Sequence, residues 1–398
     1  MRRWIMLALG TAAQTAACAF VYGIPYLADE LRDRERLTLT QVGLLVACPT
    51  AGLVLALYLW GAAADRWGER VVIALGLGAA GGALAGAAWG AHGMVALGGL
   101  LVLAGAAGAS VYSASGRLVM GWFSAGERGL AMGIRQTSTP LGMGVAALSM
   151  PPLAGAHGLT GAFGFLAVLC CAIAVLVGVF AADPARPETA VGKPAPNPYR
   201  GSNVLWRIHG SAALLVVPQF TAGAFALVLL VDVRGWTPVH AGQLIALAQG
   251  LGAVSRIVVG RWSDRVGNRL RPMRQLAVLT AAVVAAAALT TAFPSPVTPV
   301  LLVTAIALTA STNGLSFTST AERAGPAWSG RALGVHNTGQ NLTAAVVPPA
   351  MAALISATAY WPGFALAAAV AGVSALVVPV PRRAATPRTA RPRRTISA

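Results

Sequence analysis

The sequence predicts an all-α integral membrane protein with twelve transmembrane helices arranged as two pseudo-symmetric six-helix bundles. Three observations carry that expectation. First, the 398-residue chain is 56% hydrophobic and 10% charged, and eight stretches (4–28, 37–64, 71–116, 136–182, 208–231, 235–255, 275–321 and 332–381) contain no Asp, Glu, Lys or Arg. A spanning helix takes roughly 20 apolar residues, so runs near that length hold one helix and runs near twice that length hold two; the total is twelve. Second, a ten-residue loop occurs twice, 199 positions apart, each copy between two apolar runs. Third, the basic residues fall on one side of the resulting topology.

With the N-terminus placed in the cytoplasm, the inner loops and both termini carry 22 basic residues and the outer loops 4, namely Arg32, Arg34, Arg36 and Arg234. The net charge of +17 therefore reports the positive-inside rule in a cell membrane, with both termini cytoplasmic, and not a nucleic-acid surface. Cys18, Cys48, Cys170 and Cys171 lie inside apolar runs without metal-ligand or disulfide spacing, so no metal and no cofactor is expected. The Arg2-Arg3 start and the Ala16-Ala17-Cys18 step imitate a cleaved signal. The repeat needs this run as its first span, so it is expected to be retained.

The spans follow in order. The first runs from Trp4 to Leu27 and carries Gln14 and Tyr22 near one face. A balanced charge cluster, 29–36, forms a solvated outer entrance. The second span, 39–63, leads into Gly61-Ala-Ala-Ala-Asp65-Arg66-Trp-Gly68-Glu69-Arg70, and the third ends at Gly90 before an outer turn at Ala91-His92-Gly93. The fourth, 95–123, is rich in Gly98, Gly99, Gly105 and Gly108, small residues that let backbones approach. Arg117 sits within two turns of its inner end, as a gate or snorkelling residue. The fifth span, 127–153, places Arg135, Gln136 and Pro140 at depth and ends at Pro151-Pro152; the sixth is 159–182.

The domains expected are an N-terminal bundle over 1–182, a cytoplasmic linker over 183–204, a C-terminal bundle over 205–381 and a basic tail over 382–398. The second-half spans are 205–231, 238–262, 275–293, 297–320, 330–357 and 360–380. The second loop is Gly260-Arg-Trp-Ser-Asp264-Arg265-Val-Gly267-Asn268-Arg269. Gly330-Arg-Ala-Leu-Gly334-Val-His336-Asn337 matches Gly129-Leu-Ala-Met-Gly133-Ile-Arg135-Gln136 at an offset of 201, so His336 is the counterpart of Arg135.

The duplicated Gly-x-x-x-Asp-Arg-x-Gly-x-Arg loop resembles the signature loop of the major facilitator superfamily. The pattern departs where a basic residue usually follows the second glycine; here stand Glu69 and Asn268. The resemblance implies transport by alternating access. It also implies a conformational latch built from Gly61, Asp65, Arg66, Gly68 and Arg70 together with Gly260, Asp264, Arg265, Gly267 and Arg269. Asp65 and Asp264 would pair with arginines or helix N-termini across the interface.

All twelve acidic residues fall in loops or at helix ends, whereas Arg117, Arg135 and Arg256 lie inside spans. Arg135 and Arg256 each stand eight residues from an acidic turn, hence ~12 Å deep at 1.5 Å per residue. An arginine at that depth costs about 2.5–3.5 kcal/mol, which points to a water-filled cavity and an anionic ligand. Helix carbonyls and polar neighbours such as Gln249 or Thr139 are the alternative compensation. Arg256 also looks like the carboxylate-binding arginine of monocarboxylate and oxalate/formate transporters. The expected site is therefore Arg135 and Arg256 from opposite halves, with His336, Gln136, Asn337, Gln249, Gln14 and Tyr22. The ligand would be a small organic anion, with protons or a counter-anion as coupling partner, in a monomer embedded in lipid. Multidrug efflux by the same fold is the alternative function. A membrane enzyme would need a nucleophile–base pair or metal cluster, and none has suitable spacing.

Overall fold

The computed structural model describes residues 1–34, 36–91, 93–184, 196–293 and 295–380. The basic tail, most of the linker, His92 of the outer turn, Glu35 and the side chains of Asp29 and Arg34 lie outside the described residues. Fourteen α-helices occur among those described: α1 (Arg2–Val21), α2 (Ala28–Arg34), α3 (Leu39–Trp67), α4 (Glu69–Trp89), α5 (Met94–Gly121), α6 (Arg128–Arg135), α7 (Ser138–Phe180), α8 (Val204–Asp232), α9 (Pro238–Val266), α10 (Leu270–Ala292), α11 (Thr298–Ser311), α12 (Asn313–Ala324), α13 (Ser329–Ala357) and α14 (Tyr360–Val377).

Ten stretches are long and apolar enough to cross a membrane. One of them, Arg128–Phe180, spans 53 residues and turns at Gly158, where φ is 68°, so it holds two crossings. The twelfth crossing is α13, 29 residues long, whose polar Arg331, His336, Asn337, Gln340 and Asn341 lower its hydropathy. These form the two six-helix bundles of the expected fold. Large apolar side chains such as Leu55, Leu148 and Leu376 are 75%, 81% and 76% exposed, an outer surface suited to lipid.

Local sequence explains most ends. Thr38 and Gln41 form a capping box that starts α3: Gln41 N donates to Thr38 Oγ1 and Thr38 N to Gln41 Oε1. Thr237 caps α9 with Pro238 in its first turn, and Gly267, at φ 65°, ends it in the left-handed conformation. α5 lies against α3 so closely that a Cβ at Gly105 would collide with Pro49 O.

Several expected boundaries are corrected. The first span breaks at Tyr22, and Ile24–Leu27 forms a 3-10 turn containing Pro25. The outer charge cluster contains α2, whose Leu31 is buried, so it is more than a solvated entrance. Pro151-Pro152 does not end the fifth span; the helix continues to the flexible Gly158, which keeps backbone groups bonded in lipid. The fifth span instead breaks at Gln136-Thr137, because Pro140 has no N–H to give Gln136 O. The tenth span breaks at Thr312, where Ser311 and Thr312 hydroxyls bond carbonyls three residues back.

The halves meet chiefly through α3 against α13 and α6 against α9. Both contacts lie at the end of the bundle that carries the duplicated loops, the loop end. Arg3 pairs with Glu127 there, and Arg207, near the start of α8, donates to Val377 O, so both described chain ends lie there too.

Candidate functional site

The two loop aspartates bond the opposite half in the same way. Asp65 Oδ1 accepts from Gly330 N at 2.8 Å and Oδ2 from Arg331 N at 3.1 Å; Asp264 accepts from Gly129 N at 2.9 Å and Leu130 N at 2.8 Å. Each carboxylate thus sits on the first turn of a helix from the other half, where the free N–H groups and the dipole favour a negative charge. The glycines make this approach possible. A Cβ at Gly61 would collide with Gly330 O, and one at Gly260 with Gly129 O.

The cations differ between halves. Arg269 pairs with Asp264 at 2.6 Å and donates to Ala125 O, while Asp65 takes Arg117 at 2.6 Å and Arg331 at 3.0 Å. Arg117 also pairs with Glu69 and donates to Ala64 O. This corrects the snorkelling alternative for Arg117: its guanidinium is buried and held by two carboxylates at the loop end. Glu69 is 1% exposed and occupies the position where the pattern has a basic residue. Asn268, its counterpart, accepts from Leu270 N and Arg271 N and so starts α10. Arg70 bonds Gly178 O, Gly68 adopts φ 96°, and Arg66 and Arg265 are exposed.

Past this closed end, a cavity of about 360 Å³ lies between the halves. α1 contributes Gln14 and its C-terminal cap Tyr22, α5 Tyr112, the α6–α7 turn Gln136, and α9 Gln249 and Arg256; α12 gives Asn313 and Phe317, and α13 Asn337, Gln340 and Asn341. Eight amide side chains face it in all, counting Gln219 of α8, and Arg256 is the one charged residue among its lining residues. Arg256 is 5% exposed, and its Nη1 is buried without a hydrogen-bond partner among the described residues. Across the cavity, Tyr22 OH donates to Asn341 Oδ1 at 3.4 Å, and Asn337 Nδ2 donates to Tyr112 O at 3.2 Å.

Of the eight expected site residues, Arg256, Gln136, Asn337, Gln249, Gln14 and Tyr22 line the cavity; Arg135 and His336 do not. Arg135 is 1% exposed and folds back into its own half. There it donates to Ser115 Oγ at 2.6 Å and to Gln14 Oε1 at 2.7 Å, with Gln136 Oε1 at 3.4 Å. His336 likewise turns into the second half, with Nε2 3.1 Å from Ser316 Oγ and Nδ1 3.0 Å from His209 Nδ1. Ser115 and Ser316 stand 201 positions apart, so the inward turn is itself duplicated. The sequence gives the depth of these residues but not their direction around the axis.

Tyr112, Gln219, Asn313, Gln340, Asn341 and His209 were not expected. The spacing 337, 340, 341, 344 along α13 is a helical face that, starting from the expected Asn337, could have signalled Gln340 and Asn341; His209 meets His336 across 127 positions and carries no local signal.

Residues 4–348 match the family model of the Major Facilitator Superfamily. The chain is 40% identical over 380 residues to the uncharacterized MFS-type transporter Rv2994 of Mycobacterium tuberculosis, covering 95% of this chain and 85% of that one. It is similar in fold to the human organic anion transporter MFSD10, with a TM-score of 0.76 at 16% identity over 95% of this chain and 99% of that one. It is also similar to the proton:xylose symporter XylE, with a TM-score of 0.73 at 13% identity over 94% of each chain.

Proposed function

The chain belongs to the major facilitator superfamily, and from that premise we propose that it carries a small organic anion, of the carboxylate kind, across the cell membrane. The observation behind this is Arg256, a buried guanidinium whose Nη1 has no hydrogen-bond partner among the described residues, in a cavity whose other described lining residues are neutral. A cation at that depth costs about 2.5–3.5 kcal/mol, and a carboxylate seated on its planar fork offsets the cost with two parallel bonds. The amides orient the rest of the ligand. Arg135 acts behind them as a positioning residue, fixing the Gln14 and Gln136 carboxamides. Multidrug efflux is the weaker reading, because among the described residues no carboxylate lines the cavity to receive a cationic drug. The organic anions in the human transporter's name belong to that protein; the proposal here rests on Arg256.

Transport follows from rocking one half against the other. The excess of basic residues at the loop end makes that end cytoplasmic. Asp65 and Asp264 then form the inner latch, and the described conformer is closed at that end. An anion held by Arg256 while contacting Gln136 and Gln14 links the two halves and biases closure at the outer end.

Thermal unfolding of the purified protein with mono- and dicarboxylates, and separately with lipophilic cations, tests the reading. A carboxylate at a hundredfold over its Kd should stabilise by about 2.7 kcal/mol. Stabilisation by lipophilic cations alone would overturn it.

A further inference from the structure

The second half contains a buried hydrogen-bonded chain that the anion site does not use. Tyr199 OH lies 3.0 Å from His209 Nε2, the two histidines face each other Nδ1 to Nδ1 at 3.0 Å, and His336 Nε2 lies 3.1 Å from Ser316 Oγ. Ser316 Oγ donates to Asn313 O at 2.9 Å, so its oxygen accepts from His336 Nε2–H. That leaves His336 Nδ1 to accept from His209 Nδ1–H, with the Thr320 hydroxyl as a second donor to it at 3.3 Å, and His209 Nε2 to accept from Tyr199 O–H. Every group is satisfied with both imidazoles neutral.

We infer that the His209–His336 pair is a binding site for one proton, exchanged with the loop-end solvent through Tyr199. Tyr199 is part-exposed, whereas His336 is 1% exposed, so the pair meets water through the tyrosine. A proton from solvent bonds to the Tyr199 oxygen as the original Tyr199 hydroxyl proton passes to His209 Nε2; the new O–H points to solvent, and the tyrosine oxygen then accepts from His209 Nε2–H. The shared Nδ1–H···Nδ1 bond then becomes charge-assisted. A second proton is excluded, since it would set two N–H groups head-on at 3.0 Å. Burial pushes the Tyr199 phenol up to about 12, so it relays the proton without resting as a phenolate.

The surrounding charges leave the pair alone. Arg135 lies beyond the Phe317 ring, which packs edge-on against His336 at 4.7 Å. Arg207 of α8 bonds Val377 O, Glu322 of α12 pairs with Arg128 and Arg269, and Arg331 of α13 pairs with Asp65; Arg323 of α12 is exposed. The pair is nonetheless tied to the closed end. Tyr199 contacts Trp328 at 6.4 Å, and Arg331, the Asp65 partner, lies 4.3 Å over the Trp328 ring. Opening that end disturbs Tyr199 and exposes the pair, which couples proton exchange to the conformational cycle. The site presupposes a transporter but not the anion reading, which stands or falls separately on Arg256.

The test is 15N-imidazole NMR of the full-length protein in nanodiscs, taken from about pH 8 to about pH 5. Wild type should show the His209 and His336 signals moving together in a single one-proton step, with a scalar coupling across Nδ1–H···Nδ1. In His336→Gln the His209 step should shift by at least one pH unit, roughly tenfold in proton affinity. Tyr199→Phe, which removes the exchange path while leaving both histidines, should keep the one-proton step and slow its exchange. Two independent steps, or no protonation of either ring over this range, would overturn the inference.

Discussion

Asp65 of α3 accepts the backbone N–H of Gly330 at 2.8 Å across 265 residues of chain, and Asp264 accepts that of Gly129 at 2.9 Å in the mirrored position. Asp65→Asn keeps one oxygen but loses the charge that Arg117 and Arg331 share. Charge-assisted bonds contribute about 1.5–3 kcal/mol each, so we expect the closed-to-open ratio at the loop end to fall roughly 30-fold, about 2 kcal/mol. Double electron–electron resonance between labels on α3 and α13 reads this directly. An unchanged distance distribution would show that Asp65 does not hold the closed state.

The glycine contact gives an independent handle on the same interface. Gly61→Val should prevent α3 and α13 from closing, because its side chain would occupy the space of Gly330 O. Gly43→Val, on the same helix but with open space around it, serves as the control. Disulfide trapping across the loop end should fail in the first variant and succeed in the second.

The pair of Arg117 and Glu69 tests whether the departure from the signature pattern is compensated. Removing one partner of a buried ion pair costs about 3–5 kcal/mol, so Arg117→Ala should lower unfolding stability by that order. Adding Glu69→Gln should restore a large part, because the neutral amide no longer needs the cation. A double-mutant cycle with coupling near zero would mean that the two residues are energetically independent.

The parts of this molecule that the sequence made legible are those written in local periodicity. Uncharged runs gave the crossings, and the 199-residue repeat located Asp65 and Asp264 before any contact was known. What it hid depends on direction or on distant partners. Arg135 and His336 were expected in the cavity, yet Arg135, just before the Gln136-Thr137 break, and His336 turn into their own halves, and no spacing rule foresees those rotations. Glu69 reads as an exposed loop residue until Arg117, 48 positions away, is brought against it. Arg256 was legible because its helix α9 is unbroken from Pro238 to Val266, so helical phase carries through to the cavity wall.

The most direct test of the central claim is anion binding by Arg256 variants, measured by isothermal titration calorimetry with the carboxylate that most stabilises wild type. Truncating one partner of a buried charge pair costs about 2–5 kcal/mol, so Arg256→Ala should weaken binding by roughly 30-fold or more. Arg256→Lys, which keeps the charge and loses the planar fork, should fall between wild type and alanine. Both variants should remain folded, since an unpaired buried cation does not stabilise the empty protein. If Arg256→Ala binds the carboxylate with wild-type affinity, the guanidinium is structural and the anion-transporter account is wrong.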